Sequence, residues 1–403
     1  MVGQLKLEPV ELGNRKGLLE FVKVPWVLHK GELNLRLPLE MELLGSRLLG
    51  VTGLLEKSHP YHANAEVMHW VATRGSNLVG RISASLNQAT LEKGKEFKDA
   101  GFFGFFESEE NSETSGSLLN AAQTWLQARG CKRMMGPGGY SNMTHEPYQG
   151  IMVKGFDTSP SVELVWNPAY YERLMLGFGL ERVMNYVTHE GRLDTAAKKG
   201  DERLIRLVQH SKEKIMKAGI RLRYVDKTQL ESECQHIAEI YNEAWKTNWG
   251  FIPMSSSEVE HMAQSLKDIV VPELIQFAEK DGQPIGVIGG IPDPYSLNAP
   301  NWGRFQNIMN AEWVRRIRTL MGANKFLIKP THLRVMFMGV RQTDRKTHIA
   351  ASLFYNFLET SLAEGYLTAD ASLLLEHNKD VRAISEAWGL EHKKTYSIYA
   401  KQI

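Results

Sequence analysis

The stretch "NKDVRAISEAWGLEHKKTY" (378–396) decides the fold, because the chain contains a second version of it. That counterpart, "NPAYYERLMLGFGLERVMNY", occupies residues 167–186. Each begins with an asparagine, a residue favoured at helix N-caps, and continues as a helical pattern up to Gly-Leu-Glu. A tyrosine follows that glutamate by five residues in both. Since glycine commonly ends a helix in the left-handed conformation, each stretch predicts a helix followed by a strand.

The repeat extends upstream to two predicted hairpins. The sequences "VMHWVATRGSNLVGRISASL" (67–86) and "LIQFAEKDGQPIGVIGGI" (274–291) each contain two strand-like runs around a short polar turn. Gly-Ser in the first turn and Asp-Gly in the second are typical of tight hairpin connections. A glycine also lies early in the second strand of each, at Gly80 and Gly286. The two halves therefore share a hairpin as well as the final helix and strand.

A further strand and helix follow each hairpin. In the first half they are "AGFFGFFES" (100–108) and "SGSLLNAAQTWLQARG" (115–130). In the second half they are "THLRVMFMGV" (331–340) and "IAASLFYNFLETSLAEG" (349–365). Each half is thus predicted to run helix, strand pair, strand, helix, strand, helix, strand. That order indicates an α/β protein with two similar domains, each a mixed, mostly antiparallel sheet flanked by helices.

The repeat also predicts the domain boundaries. The first domain spans residues 1–195, a charged connecting helix spans 196–219, and the second domain spans 220–403. Residues 293–330 are an insertion in the second domain and contain a basic amphipathic helical pattern. Two interpretations of the insertion stay open: a lid or packing element, or a docking surface for an acidic carrier protein or a lipid.

The composition of the chain disfavours several classes of function. The formal net charge of +2 gives no general reason to expect nucleic-acid binding, and 43% hydrophobic residues are typical of a soluble globular protein. The two cysteines, Cys131 and Cys234, are far apart, which favours a reducing compartment and disfavours a metal site or a disulfide framework. Without an N-terminal apolar segment or a long apolar run, we expect a cytoplasmic protein with no membrane span.

In the second half, the turn between the predicted strand 331–340 and the predicted helix 349–365 is basic. The sequence "VRQTDRKTHIAASLF" (340–354) leads from the strand into the helix and carries Arg341, Arg345, Lys346 and His348. A helix N-terminus after a strand is a common phosphate site, although such loops are usually rich in glycine and this one has none. The residues alone leave two alternatives, an altered phosphate cradle or a basic turn.

These features resemble the GNAT superfamily of acyl-CoA N-acyltransferases, and the whole chain is similar to bacterial tandem-GNAT acetyltransferases. The stretches "GFFGFFESEE" (101–110), "GFDTSP" (155–160), "NPAYYERLMLGFG" (167–179) and "YNEAWKTNWGFIPM" (241–254) carry the resemblance beside the repeat. It implies acyl transfer from a CoA or carrier-protein thioester to an amine of a small molecule or peptide. It also implies a pyrophosphate loop of pattern Gln/Arg-x-x-Gly-x-Gly/Ala, and two splayed strands around the pantetheine arm.

The resemblance maps the loop motif onto the second half. Arg345 and Ala350 match its first and last positions, and His348 stands at its middle glycine. A side chain there narrows the space for a diphosphate, whereas a single phosphate, as on a phosphopantetheine carrier, needs less of the cradle. The other residues predicted to bind the donor are Val340, Arg341, Lys346 and Asn378.

The corresponding loop of the first half, "ESEENSETSGS" (107–117), is acidic. Because carboxylates repel phosphates, the first domain is expected to be structural or to form an acceptor-side wall, and the second domain to bind the donor and catalyse. The glycine-rich stretch 136–150 offers His145 and Glu146 as acceptor-pocket residues, with an ordinary surface loop as the alternative.

Candidate catalytic residues follow the next strand. Glu376, and after it His377, are the predicted bases that remove a proton from the attacking ammonium group. The alternative is that both are solvated strand-end residues. The family's tyrosine acid, four residues before the glycine of the last helix, is replaced by Ser385. Tyr396 is a candidate substitute, with a plain core role as the alternative.

The sequence therefore predicts an acyltransferase that uses acyl-CoA or a phosphopantetheine-linked donor and no metal. An acyl carrier protein is a candidate partner, and nucleic acid is not. Two alternatives remain. One is a non-catalytic GNAT-derived binding protein, and the other is a repurposed GNAT that performs decarboxylation, hydrolysis or carbon–carbon bond formation on a thioester.

Overall fold

The structure is a computed structural model of the 403-residue chain. It describes residues 3–38, 40–47, 51–88, 91, 97–138, 140, 148–194, 202–266, 270–293, 296, 330–345 and 348–403. The chain divides into two compact units. Within the described ranges, no helix is both long enough and apolar enough to cross a membrane.

The order of elements agrees with the predicted repeat. The first half contains β1 (Leu5–Val10), α1 (Arg15–Leu28), α2 (Glu40–Leu44), β2 (Ala65–Arg74), β3 (Asn77–Asn87), β4 (Ala100–Ser108), α3 (Ser112–Gln127), β5 (Arg133–Gly138), β6 (Ile151–Lys154), α4 (Tyr170–Gly177) and β7 (Glu181–Arg192). The second half contains α5 (Glu202–Lys217), β8 (Ile220–Tyr224), α6 (Leu230–Ala244), α7 (Ser256–Leu266), β9 (Ile275–Lys280), β10 (Gln283–Pro292), β11 (His332–Val340), α8 (Ile349–Ala363), β12 (Thr368–Leu375), α9 (Lys379–Ala387) and β13 (Glu391–Gln402).

Each unit is built on a mixed sheet. The first unit has the strand order β1-β2-β3-β4-β5-β13, with β6 also paired to β13, and β4 with β5 is its parallel pair. The second unit has the order β7-β12-β11-β10-β9-β8, and β11 with β12 is its parallel pair. The remaining ladders described within each unit are antiparallel. The predicted fold class is confirmed.

The final strands of the two halves are exchanged between the units. From Tyr186 onward, β7 pairs with β12 of the second half, and β13 from Thr395 onward pairs with β5 and β6 of the first half. The compact units therefore differ from the predicted domains 1–195 and 220–403, which kept each final strand with its own half. The strands of a ladder are joined by hydrogen bonds between backbone groups, which do not depend on the side chains. Because β7 and β13 are equivalent strands of the repeat, either of them can pair with either sheet.

Both faces of each sheet are covered by helices. On β2, the neighbours Trp70 and Val71 point to opposite faces, and they belong to clusters with α3 and α1 respectively. On β10, Ile288 packs in a cluster with α8, and Val287 packs with α6. The helices thus bury both faces, as the alternation of strands and helices in the sequence predicts.

The described part of the predicted connecting helix belongs to the second unit's core. Val208 and Ile215 of α5 are buried in the same cluster as α8, and β8 begins three residues after α5 ends. The segment is consequently a structural helix of that unit as well as a connection. Most of the predicted insertion, 293–330, lies outside the described residues.

A buried histidine makes the first unit sensitive to acid. His69 Nδ1 lies 3.1 Å from the carbonyl oxygen of Val10, and His69 Nε2 lies 2.9 Å from the hydroxyl of Tyr140. The carbonyl only accepts, so Nδ1 carries the proton and Nε2 accepts from the tyrosine. Burial lowers the pKa of His69 to about 4, so the folded protein keeps this ring neutral.

We therefore expect the titration of His69 to lower the free energy of unfolding by about 2 kcal/mol when the pH falls from 7 to 5. Its folded pKa lies below the unfolded value near 6.5, so as pH falls below 6.5 only the unfolded chain takes up the proton. Urea unfolding of the wild type and His69→Gln at both pH values measures the difference. Gln can donate and accept hydrogen bonds but does not titrate, so His69→Gln should lose about 2 kcal/mol less unfolding free energy than the wild type between pH 7 and pH 5. Equal losses in the two proteins would show that His69 is not the group that titrates.

Candidate active site

The loop between β11 and α8 contains a non-glycine residue in the left-handed conformation. His348 is the N-cap of α8 and has φ 62° and ψ 9°. This backbone conformation is adopted readily by glycine and costs other residues roughly 1–2 kcal/mol. His348 is the residue that the resemblance aligned with the motif's middle glycine, so the loop keeps a conformation that glycine favours while carrying an imidazole.

The N-terminus of α8 is a ready anion site. Among the residues that the structure describes, no side chain caps the helix, and the first internal bond there joins the Ser352 N–H to the His348 carbonyl. The N–H groups of residues 349–351 precede that bond and have no partner within the helix itself. Together with the helix dipole they favour a negatively charged group at this end.

Side chains of α5 surround the imidazole of His348. Its Nδ1 lies 3.3 Å from the Ser211 hydroxyl, its Nε2 lies 3.5 Å from Lys214 Nζ, and its ring centroid is 5.9 Å from that of His210. Burial, then the charge of Lys214 and of His210, lowers the pKa of His348. The imidazole is therefore neutral at pH 7, and Lys214 brings a positive charge to the loop. The sequence does not predict this contribution, because residues 196–219 have the pattern of a connecting helix.

The two predicted arginines of the loop are held by α6. Arg341 forms ion pairs with Glu239 at 3.4 Å and with Glu243 at 3.9 Å. Arg345 donates from Nη2 to the carbonyl oxygen of Ala244. These contacts fix the path of the loop, so the structure gives both arginines a positioning role beside their predicted role toward the donor.

The other predicted donor residues differ in placement. Val340 is buried at the end of β11, and Ala350 is half-buried in the first turn of α8. Lys346 lies outside the described residues. The Asn378 side chain accepts from the Val381 N–H at 3.4 Å and thereby caps α9. A cap is the role that its sequence position predicts, whereas its donor-binding role stays a prediction.

A cleft opens between β11 and β12. Their parallel ladder stops at Val335 and Ala371, whereas β11 stays paired with β10 up to Val340. Beyond Val335, the backbone of residues 336–338 therefore faces the gap instead of a partner in β12. The side chains of these residues, Met-Phe-Met, are half-buried. The early end of the ladder is compatible with the splayed strands that the resemblance implies for the pantetheine arm. Met338 packs against the cluster that contains α8, and Phe337 packs against the cluster that contains α6.

The predicted bases lie at the exposed end of β12. Glu376 and His377 form a turn directly after the strand, and both are exposed. Arg382 Nη1 donates to the Glu376 backbone carbonyl at 2.9 Å, which fixes the turn. Both the catalytic interpretation and the solvated strand-end interpretation are compatible with this placement.

The residues considered for the leaving-group proton are buried. Ser385 is 2% exposed, and its hydroxyl donates to the Arg382 carbonyl at 2.8 Å and lies 2.6 Å from His189 Nδ1. Tyr396 is fully buried in the first unit's sheet, where β13 pairs with β6, whereas Glu376 and His377 belong to the second unit. The structure thus favours the core role that the sequence analysis held as the alternative for Tyr396.

The equivalent loop of the first unit is occupied by its own side chains. Asn111 caps α3 by accepting from the N–H groups of Glu113 and Thr114. Arg74 pairs with Glu109 at 2.9 Å and with Glu113 at 2.6 Å. The helix terminus that is uncapped in the second unit is therefore capped and acidic in the first, and a phosphate there would meet carboxylates.

Two tyrosines engage the end of β4 in the first unit. The parallel ladder of β4 with β5 ends at Gly104 and Gly138. Beyond it, the Ser108 N–H donates to the Tyr171 hydroxyl at 3.0 Å, and the Tyr170 hydroxyl donates to the Ser108 carbonyl at 2.8 Å. Backbone groups that would otherwise face a pantetheine arm are thus already bonded.

A buried polar network lies beside these tyrosines. Glu107 Oε2 is 2.8 Å from His29 Nε2 and 2.7 Å from the Tyr171 hydroxyl, and Glu107 Oε1 is 3.5 Å from Arg81 Nη2. Burial alone would raise the pKa of Glu107, but the hydrogen bond and charge of His29, followed by Arg81 and Tyr171, bring it below its usual range. Burial and then the Glu107 charge raise the pKa of Tyr171 well above its usual value. Glu107 is ionised and Tyr171 is neutral.

This network is not predicted from the sequence. Glu107 counted only as part of an acidic loop, and its partner His29 lies 78 residues away. The one available signal was a glutamate at the end of an otherwise apolar strand, "AGFFGFFES". His145 and Glu146, the predicted acceptor-pocket residues, lie outside the described residues.

Two bacterial proteins are similar to this chain over most of its length. No protein-family model matches the chain. The bacterial ceramide synthase of Caulobacter vibrioides is 29% identical over 392 residues, which cover 96% of this chain and 95% of that protein. Protein YghO of Escherichia coli strain K12 is 28% identical over 342 residues, covering 83% and 82% of the two chains.

Solved structures define the fold. A tandem GNAT protein from the clavulanic acid biosynthesis pathway superposes with a TM-score of 0.56 at 11% identity, over 99% of this chain and 98% of that one. The chain has the tandem GNAT fold. A GCN5-related N-acetyltransferase from Sphaerobacter thermophilus superposes with a TM-score of 0.50 at 12% identity, over 99% and 95% of the two chains. Identities this low establish the GNAT fold and leave the reaction to be argued from the site.

The two GNAT units differ in the state of their loops. The second unit combines an uncapped helix terminus, a left-handed loop residue, nearby basic groups and an open strand cleft. The first unit has its helix terminus capped, its loop acidic and the end of β4 bonded to tyrosines.

Proposed function

We propose that the protein is an N-acyltransferase that forms an amide from an acyl thioester and a long-chain amino alcohol. The ceramide synthase similarity supports this choice of product, because it extends over 96% of the chain and a ceramide is the N-acyl amide of a long-chain amino alcohol. The fold supports the thioester donor, since one of the solved structures that superpose on the chain is a GCN5-related N-acetyltransferase.

The observation that carries the donor site is the geometry at the start of α8. His348, in the left-handed conformation, precedes a helix terminus that no side chain of the described residues caps, and Lys214 Nζ lies 3.5 Å from His348 Nε2. In this proposal the donor's phosphate binds the N–H groups of residues 349–351, and Lys214 adds charge. The pantetheine arm and acyl chain extend into the cleft between β11 and β12.

The reaction is a direct aminolysis. The neutral amine attacks the thioester carbonyl carbon, and the nitrogen gives up one proton to solvent as the C–N bond forms. The C–S bond breaks, and the sulfur leaves as a thiolate that takes up a proton from solvent, so the products are the amide and the free thiol. The ammonium form must first lose a proton, and Glu376 or His377 is the proposed base. A separate acid is not required, because a thiol with a pKa of about 8.5 is a fair leaving group.

The donor is either acyl-CoA or an acyl group on phosphopantetheine. His348 occupies space that a glycine would leave open, which favours a donor with a single phosphate at the loop over a diphosphate. The carrier-protein partner stays a prediction.

Donor binding is tested by thermal unfolding with CoA, octanoyl-CoA and 4′-phosphopantetheine, with adenosine 3′,5′-bisphosphate as the control. A ligand at about one hundred times its Kd should stabilise the protein by about 2.7 kcal/mol, seen as a rise in Tm. We expect a rise with at least one pantetheine compound that exceeds the rise with the control. Equal Tm values for all four would contradict the donor site.

A further inference from the structure

The turn that follows α1 exposes two large apolar side chains. Val27, near the end of the helix, is 51% exposed, and Leu33, just beyond the turn, is 70% exposed. Neither belongs to the hydrophobic clusters that form the core of the first unit. The helix packs on the sheet with its opposite face, whose buried residues are Leu18, Phe21, Val22, Val24 and Pro25. Packing inside the unit therefore does not explain why the two exposed residues are apolar.

The backbone of this turn is held on both sides. The Glu32 N–H donates to the carbonyl of the buried His29 at 3.1 Å, which closes the turn. On the far side, the Asn34 side chain donates to the Phe156 carbonyl at 3.2 Å. Because these bonds fix the path of the chain, the fold itself presents the two apolar side chains at the surface.

The charges around the turn suit a surface that carries phosphate groups. Lys23 lies one helical turn before Val27 on the same face of α1, and Lys30 is exposed in the turn. Within the residues that the structure describes, neither lysine is paired with a carboxylate. Of the two nearby carboxylates, Glu20 is half-buried, and Glu32 accepts from a backbone N–H at 2.9 Å. Both ammonium groups are consequently available to an anionic partner, and their alkyl stems can lie along apolar surface.

Another exposed leucine and valine of the first unit have different surroundings. Leu176 is 52% exposed, and Val183 is 43% exposed. The arginines nearest to them in the sequence form the ion pairs Arg173–Glu110 and Arg182–Glu172. Since these cations already have carboxylate partners, this second pair lacks the unpaired positive charges found beside Val27.

We propose that residues 23–33 dock the first unit on the surface of a lipid membrane that contains anionic lipids. In this arrangement Val27 and Leu33 insert among the acyl chains, and Lys23 and Lys30 approach the lipid phosphates. Trp26, which is half-buried, is of a residue type enriched at the boundary between hydrocarbon and water. The choice of a membrane as the partner rests on the proposed function, because a long-chain amino alcohol and its amide both partition into lipid.

Cosedimentation of the full-length protein with vesicles of equal parts phosphatidylcholine and phosphatidylglycerol tests the proposal. The wild type should bind saturably. Val27→Thr with Leu33→Gln keeps the side-chain sizes and charge similar but removes apolar surface, so this variant should bind about tenfold more weakly. The matched control, Val183→Thr with Leu176→Gln, makes the same two changes at the other exposed pair and should bind as the wild type does. Thermal unfolding checks that both variants remain folded.

Lys23→Gln with Lys30→Gln should also weaken vesicle binding by about tenfold. The proposal is overturned if the wild type does not sediment with the vesicles, if the two valine–leucine variants bind equally, or if the lysine variant binds as the wild type does. It is also overturned if Val27→Thr with Leu33→Gln lowers the sedimentation coefficient of the protein without vesicles, because the turn would then join two copies of the chain. The vesicles contain neither thioester nor amine, so failure of the amide-forming assay would leave these results unchanged, and the two proposals fail in distinguishable ways.

Discussion

Replacing His348 with Asp is expected to weaken CoA binding by about tenfold or more, whereas replacing it with Gly should leave the affinity unchanged or raise it. Both residues tolerate the left-handed conformation at this position, φ 62°, so the loop keeps its path in either variant. Asp places a carboxylate beside the uncapped N–H groups of α8, where the donor phosphate is proposed to bind. Gly removes the imidazole and widens the cradle.

Titration of CoA into the wild type and both variants measures the effect. Unfolding curves serve as the control, because a loss of affinity counts only if the variant remains folded at the titration temperature. Equal affinities for Asp and Gly would show that phosphate does not approach this helix terminus, and the loop would then be a basic turn. If His348→Gly binds CoA more tightly than the wild type does, the His348 imidazole restricts the approach of the CoA phosphates to the N-terminus of α8.

Replacing Glu107 with Ala is expected to lower the unfolding free energy by about 3–5 kcal/mol, which would be the largest single-residue stability effect that the structure predicts. The change leaves the Arg81 guanidinium buried with no carboxylate partner, and it removes the acceptor for both His29 and Tyr171. Urea unfolding at pH 7 provides the measurement.

The matched control is the double variant Glu107→Leu with Arg81→Met, which removes both charges and keeps the volume similar. It should be more stable than Glu107→Ala, because it leaves no buried guanidinium without a carboxylate. A third variant, Glu107→Gln, should lose less unfolding free energy than the wild type when the pH is lowered. The folded pKa of Glu107 lies below its unfolded value near 4.3, so its stabilisation is present above that pH and is lost as pH falls. A Glu107→Ala loss below about 1 kcal/mol would contradict the buried ion pair.

The sequence predicted the fold well wherever the signal was local. The Asp281–Gly282 turn, for example, joins β9 to β10 as expected, with both residues at positive φ. The helix ends at Gly179 and Gly389 also take positive φ values, as predicted for left-handed caps. One local prediction was wrong: Asn167 does not cap α4, and its side chain instead bonds the backbone of Met152.

Features that depend on distant partners were not predictable. The exchange of β7 and β13 depends on which of two equivalent sheets each strand joins, and their side-chain patterns do not distinguish them. The setting of His348 depends on Ser211, which is 137 residues away. Glu107 gained its role from His29 and Arg81, on different elements. Local sequence patterns locate the elements and the loop, whereas the electrostatic environment of each site arises only from tertiary contacts.

We propose that the protein joins a thioester-linked acyl group to a long-chain amine. The most direct measurement is mass spectrometry of products after incubation with a long-chain 2-amino-1,3-diol and an octanoyl thioester, supplied as octanoyl-CoA and as octanoyl carrier protein. We predict that one of the two donors yields the N-octanoyl amide and free thiol in equal amounts, with much less product from His348→Asp. Release of octanoic acid without amide, or no consumption of either donor, would contradict the account.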